Sequence, residues 1–137
     1  MQRARDRGRA QYRKSTAMAY INLNADNFNN HMKDEGLVIL DFWAPWCGPC
    51  KMFGPVFEAA SEAHGDVVFG KINTEDEREL AGHFNIRSIP TLIAIKDGIM
   101  VFNQAGAMMG AQFEQLIQSL RELDMDKVRA EIASQPE

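Results

Sequence analysis

A sequence of 137 residues, 45% hydrophobic and 25% charged, has the length for one domain with one sizeable core and is too apolar for a disordered chain. Its two cysteines exclude a disulfide-stapled scaffold, and its formal net charge of −4 argues against nucleic acid as the main partner. Apolar runs such as Leu37–Leu40 and Thr91–Ile95 are strand-sized, far short of the roughly 20 residues that cross a bilayer.

Charge divides the chain. Residues 1–17 hold Arg3, Arg5, Arg7, Arg9, Arg13 and Lys14 against Asp6, a net +5, and the remainder carries −9. This head lacks hydrophobic periodicity and the apolar centre of a secretory signal peptide. It reads as a solvated, disordered extension, or as residues preceding a physiological start at Met18. An organellar presequence fits less well, because the head shows no clear apolar face.

Regular patterning begins at Ala19. Ala19–Leu23 is a strand candidate, and Asn24 precedes a helical run through Phe28 and Met32 that Gly36 is suited to end. Leu37–Trp43 reads as a strand buried on both faces, broken only by Asp41. Pro45 marks a turn. A helix then starts at Gly48–Pro49 with Met52, Val56, Phe57 and Ala60 as its apolar positions and Pro55 as an internal kink. Val67–Ile72 is the next strand, followed by a helix through Leu80 to Phe84 with Thr74 and Glu77 at capping-box spacing. Thr91–Ile95, the turn Lys96-Asp97-Gly98 and Ile99–Phe102 form a hairpin. Gly110–Leu123 is an amphipathic helix with Phe113, Leu116, Ile117 and Leu120 on one face. Residues 124–137 are a charged tail in which Val128 and Ile132 still lie four apart, so helix and frayed end both remain open.

The chemistry concentrates in Trp46-Cys47-Gly48-Pro49-Cys50 at a strand–helix junction. Unpaired N–H groups and the positive end of the helix dipole favour thiolate, the reactive form of cysteine, at Cys47. Cys50 lies a turn deeper. Cys47 is therefore the expected nucleophile and Cys50 the resolving thiol. The competing reading, half of a zinc site, needs a second ligand pair. None exists, and His31, His64 and His83 lack metal-ligand spacing. Trp46 reads as core filler or, as an aromatic beside a reactive sulfur, as a shield and contact surface.

The segment Leu40–Met52 resembles the active-site segment of thioredoxins. Arg87-Ser88-Ile89-Pro90-Thr91-Leu92 is similar to that family's cis-proline segment, Lys96-Asp97-Gly98 to its hairpin turn, and Gly106-Ala107 to its substrate loop. The resemblance spans Ala19 to Leu123 and implies an α/β thioredoxin fold, a five-stranded mixed sheet in order 1-3-2-4-5 with four helices. Domain limits follow as a basic extension over 1–17, a thioredoxin domain over 18–123 and the tail.

The resemblance also assigns single residues. Asp41 becomes a buried general base for Cys50, its proton affinity raised by desolvation. Lys71, otherwise a snorkelling surface lysine, pairs with the Asp41 carboxylate and tunes it. The Ile89–Pro90 bond is cis, turning the Ile89 backbone to substrate beside Trp46, Gly48, Pro49, Gly106 and Ala107. Met108-Met109 depart from the polar residues of many relatives and suit either core filling or a softened contact surface.

The expected activity is protein-disulfide reduction by Cys47/Cys50 exchange, which needs no metal and no bound organic cofactor. The Gly-Pro dipeptide resembles that of reducing members, with potentials near about −270 mV. With no signal peptide discernible, the expected setting is the cytoplasm. Implied partners are an NADPH-dependent flavoprotein, thioredoxin reductase, and disulfide-containing targets, with no membrane involved; nothing calls for more than a monomer. The rival readings are an oxidase or isomerase of the same fold and a binding module with incidental cysteines.

Overall fold

The computed structural model describes residues 19–135; the basic head over 1–17 lies outside them. The strands are β1 (Tyr20–Asn22), β2 (Leu37–Trp43), β3 (Val68–Asn73), β4 (Thr91–Lys96) and β5 (Ile99–Ala105). The helices are α1 (Phe28–His31), α2 (Gly48–Ala63), α3 (Arg78–His83), α4 (Gly110–Arg121) and α5 (Met125–Ser134). One sheet in the order β1-β3-β2-β4-β5 confirms the expected topology. β3 runs parallel to β1 and β2, and β4 antiparallel to β2 and β5.

β2 is the central strand, and its alternation fixes which residue faces which layer. Leu37 and Ile39 point to the side of α2 and α4, where Phe53, Phe57, Phe69, Phe113 and Ile117 complete a buried cluster. Val38, Leu40 and Phe42 point to the opposite side, against Leu23, Ile72, Ile93 and the partly buried Phe28, Leu80 and Phe84. Position 41 shares the parity of 37 and 39, so the acid of β2 lies on the α2 side. The rings of Phe53, Phe57, Phe69 and Phe113 meet at centroid distances of 5.2–6.4 Å. Each such ring buries about 150–250 Å², which makes this cluster the dominant apolar term.

Gly70 shows how tightly the strands pass the second layer. A methyl group there would overlap the Leu23 side chain and press on Leu40. Gly70→Ala is expected to cost about 1–3 kcal/mol, the usual penalty of overpacking. A urea midpoint unchanged from the parent would show that Leu23 yields freely.

Several local expectations are corrected. Gly36 does not cap α1, which is a single turn ending at His31 with Met32 already extended. Gly36 instead ties the entry of β2 to the hairpin: its N–H donates to Asp97 Oδ1 at 2.8 Å and its carbonyl accepts from the Asp97 N–H at 2.9 Å. The hairpin turn places both Asp97 and Gly98 at positive φ, 52° and 80°, the pairing that matches strand twist in a two-residue loop. Thr74 and Glu77 form no capping box. The Thr74 hydroxyl donates to the Trp43 carbonyl at 3.1 Å, and Glu77 accepts from the Ala25 N–H at 3.2 Å. Helix α3 therefore starts at Arg78 without a side-chain cap. Met52 is 74% exposed; the core face of α2 is carried by Phe53, Phe57 and Ala60. β5 runs three residues beyond Phe102.

The tail question resolves to a fifth helix among the described residues. Asp124 caps α5, accepting from the N–H groups of Asp126 and Lys127. Met125 is buried, and Arg129 pairs with Asp97 at 3.2 Å. Lys96 braces the same end of the molecule, donating to the carbonyls of Leu120, Arg121 and Leu123 at 2.7, 3.0 and 3.1 Å. A cation on the carbonyls that end α4 complements the helix dipole.

Candidate active site

The site forms where β2 leaves the sheet. After Trp43 the chain turns through Ala44, Pro45 and Trp46, closed by the Cys47 N–H donating to the Ala44 carbonyl at 3.2 Å. Cys47 is the N-cap of α2, with extended backbone and its Sγ accepting from the Cys50 N–H at 3.2 Å. Pro49 occupies the first turn, where its missing N–H costs nothing. Cys47 and Cys50 are joined as a disulfide with Cα atoms 5.2 Å apart. Helical spacing has brought the two sulfurs within bonding reach, as the C-x-x-C pattern requires.

Both cysteines are buried in this oxidised form, so exposure does not rank them. Their partners do. Cys47 Sγ receives the Cys50 N–H and lies 3.8 Å from the Ile89 carbonyl. A helix-terminal N–H aimed at one sulfur stabilises charge on that sulfur. The Ile89–Pro90 peptide is cis, as expected. Gly106 donates its N–H to the Pro90 carbonyl at 2.8 Å, bringing the Gly106-Ala107 loop alongside. Trp46 is 65% exposed, and Gly48, Pro49, Gly106 and Ala107 are also open to solvent. Ile89 packs on the buried cluster of Ala44, Cys47 and Cys50. Of Met108 and Met109, Met108 packs against the core and Met109 is 75% exposed.

Asp41 is 1% exposed, and neither carboxylate oxygen has a hydrogen-bond partner within the protein. Burial pushes its pKa from 3.8 up to about 7; the Lys71 charge opposes this and the Glu58 charge adds to it. The pairing expected of Lys71 is corrected. Lys71 stands directly across from Asp41 in the β2–β3 register, yet its ammonium pairs with Glu58 Oε2 at 3.0 Å. It also lies 5.1 Å from the Tyr20 ring centroid and 5.0 Å from that of Trp43. Lys71 acts on Asp41 through its field, without a hydrogen bond.

Glu58 is the residue that the sequence reading missed. Gly54, Glu58 and Ser61 form a stripe of small or polar residues at i, i+4 and i+7 of α2, and Gly54 and Ser61 are buried. An acid on a helix stripe facing a strand lysine was the available signal.

A disulfide at a helix N-cap, a cis-proline beside it and a buried acid on the central strand of a mixed sheet mark a dithiol–disulfide oxidoreductase. The comparisons with known proteins agree. The thioredoxin family model matches residues 19–122. A Streptomyces coelicolor protein provisionally named thioredoxin 2 is 49% identical over 115 residues, 84% of this chain and 86% of the relative. The thioredoxin of Haemophilus influenzae is 41% identical over 71% of this chain and 92% of its own. Among solved structures, a variant thioredoxin from Halobacterium salinarum superposes with a TM-score of 0.70 at 30% identity, covering 80% of this chain and 97% of that one. The chain belongs to the thioredoxin family, and its redox-active pair is Cys47 and Cys50. No helix among the described residues is long and apolar enough to cross a membrane.

Proposed function

We propose that this protein is a cytoplasmic protein-disulfide reductase recharged by an NADPH-dependent flavoprotein, thioredoxin reductase. The observation that carries the reading is the environment of Cys47 Sγ, at a helix N-cap with the Cys50 N–H pointed at it and the Ile89 carbonyl 3.8 Å away. In the reduced protein Cys47 thiolate attacks one sulfur of a target disulfide, forming a mixed disulfide and expelling the other sulfur as a thiolate. Cys50 gives its proton to Asp41, and its sulfur attacks Cys47 Sγ. The second target sulfur leaves, and the Cys47–Cys50 disulfide remains. Two electrons pass to the target, and the reductase returns them.

The other assignments follow from position. The exposed Trp46, Gly48, Pro49, Gly106 and Ala107, with the Ile89–Pro90 backbone, form the surface that receives an extended target segment. Lys71 moderates Asp41 electrostatically. Three units, an N-terminal extension, the redox domain and the α5 tail, account for the chain. The test is reduction of insulin disulfides with NADPH and a thioredoxin reductase. NADPH oxidation that depends on this protein supports the reading, and a reductase that cannot reduce the Cys47–Cys50 disulfide refutes the partner.

A further inference from the structure

The buried carboxyl and the strand lysine are placed to meet, and they do not. Asp41 and Lys71 are register partners on adjacent strands and face the same layer. Four methylenes give the ammonium reach toward either carboxylate. It goes to Glu58, on the helix above, at 3.0 Å. The Tyr20 and Trp43 rings flank it at 5.1 and 5.0 Å, an arrangement that favours a cation. The Lys71 side chain is 11% exposed and that of Glu58 42% exposed, so the bridge is anchored from the solvent side. Gly54 lies beside the bridge: a β-carbon there would stand 3.8 Å from Glu58 Oε2 and 3.9 Å from Lys71 Nζ, in ordinary contact with both. Meanwhile neither oxygen of Asp41 has a partner.

We propose that Glu58 is a positioning residue that holds the Lys71 ammonium off the Asp41 carboxyl and thereby sets the pH at which Asp41 exchanges a proton with Cys50. This rests on the reading of Asp41 as the base for Cys50. Two charged groups act on Asp41. β3 contributes Lys71, and α2 contributes Glu58. β4 places the apolar Leu92 opposite, and Tyr20 of β1 meets the site through Lys71. A cation this close has two resting places, with opposite consequences. Beside Asp41 it stabilises the carboxylate and weakens the base; beside Glu58 it leaves the carboxyl to the effect of burial. Raised proton affinity at Asp41, with Lys71 lowering it and Glu58 raising it, agrees with the second arrangement.

The experiment is the titration of the Asp41 carboxyl carbon by NMR in the oxidised full-length protein, for the parent, Glu58→Gln, Lys71→Met and the double variant. Glu58→Gln is a half-exposed helix position and keeps the side-chain shape. It is expected to lower the Asp41 midpoint by about one pH unit. In the Lys71→Met background the same change is expected to have a much smaller effect, because the cation it releases is gone. Glu62→Gln, which removes an exposed acid one turn along α2, is expected to leave the midpoint in place.

A Glu58→Gln midpoint equal to the parent overturns the proposal. So does an equal shift with and without Lys71, which would mean that Glu58 acts only through its own charge, and so does a Glu62→Gln shift as large. The pH profile of insulin reduction separates this from the underlying reading. If the NMR midpoint moves and the rate profile does not, Glu58 positions Lys71 as proposed, and Asp41 is not the base.

Discussion

Cys50→Ser, mixed with a disulfide-containing protein, is expected to accumulate a covalent complex through Cys47, and Cys47→Ser is expected to form none. The asymmetry follows from the start of α2. Cys47 is the N-cap and its sulfur accepts the Cys50 N–H at 3.2 Å, so charge developing on that sulfur meets a fixed donor and the positive end of a helix. The Ile89 carbonyl lies 3.8 Å from the same sulfur, and the neighbouring Trp46 is exposed beside the proposed path of a target segment. Release depends on the second thiol. With Cα atoms 5.2 Å apart, Cys50 attacks within the molecule. Well-oriented intramolecular reactions reach effective molarities of about 10⁵ M or more, which no free thiol in solution approaches. Serine in its place leaves the mixed disulfide to slow external exchange. Non-reducing electrophoresis and mass spectrometry read the outcome. A stable adduct appearing only in Cys47→Ser, through Cys50, would reverse the two roles.

The legibility of the molecule from its sequence was uneven, for physical reasons. Strands and long helices were readable because their apolar periodicity reports burial directly: Leu37–Trp43 and Phe113–Ile117–Leu120 lie where their patterns require. The cysteine pair was equally plain, since C-x-x-C at a helix start is both a spacing and a location. Short-range polar contacts were not readable. Thr74 and Glu77 match a capping box, yet each hydrogen-bonds to a segment distant in sequence, Trp43 and Ala25. Tertiary partners outcompeted the local cap. Met52 fitted an apolar spacing but falls on the wrong side of α2, because the face is set by the neighbouring Phe53 and Phe57. Lys71 was legible as unusual and illegible in its partner, since sequence shows a lysine opposite an acid and not which of two acids it reaches.

Stability of the oxidised protein is expected to fall as pH rises from about 4 to about 7, and Asp41→Asn is expected to abolish most of that fall. In the folded protein the Asp41 pKa is raised from 3.8 to about 7, whereas the unfolded chain ionises at the ordinary value near about 4. Between these values the native state holds a proton that the unfolded state has released. The unfolded state therefore binds fewer protons, and unfolding becomes easier as pH increases through the window. Below it the contribution is fully present; above it, lost. At about 1.4 kcal/mol for each tenfold in proton affinity, the loss is on the order of 4 kcal/mol. Asparagine keeps the shape and cannot ionise. Its amide inherits a site without hydrogen-bond partners, a cost of about 1–3 kcal/mol. The variant is thus expected to match or trail the parent at pH 5 and to exceed it at pH 8. Urea midpoints at the two pH values decide this: parallel pH dependence in both proteins would mean that Asp41 does not hold its proton in the fold. The gain in stability should come with slower release of mixed disulfides near neutral pH, since the group removed is the proposed acceptor for the Cys50 proton. A buried carboxyl whose proton affinity is raised toward neutrality, in a site with no partner to satisfy it, has the properties that the proposed proton transfer from Cys50 requires.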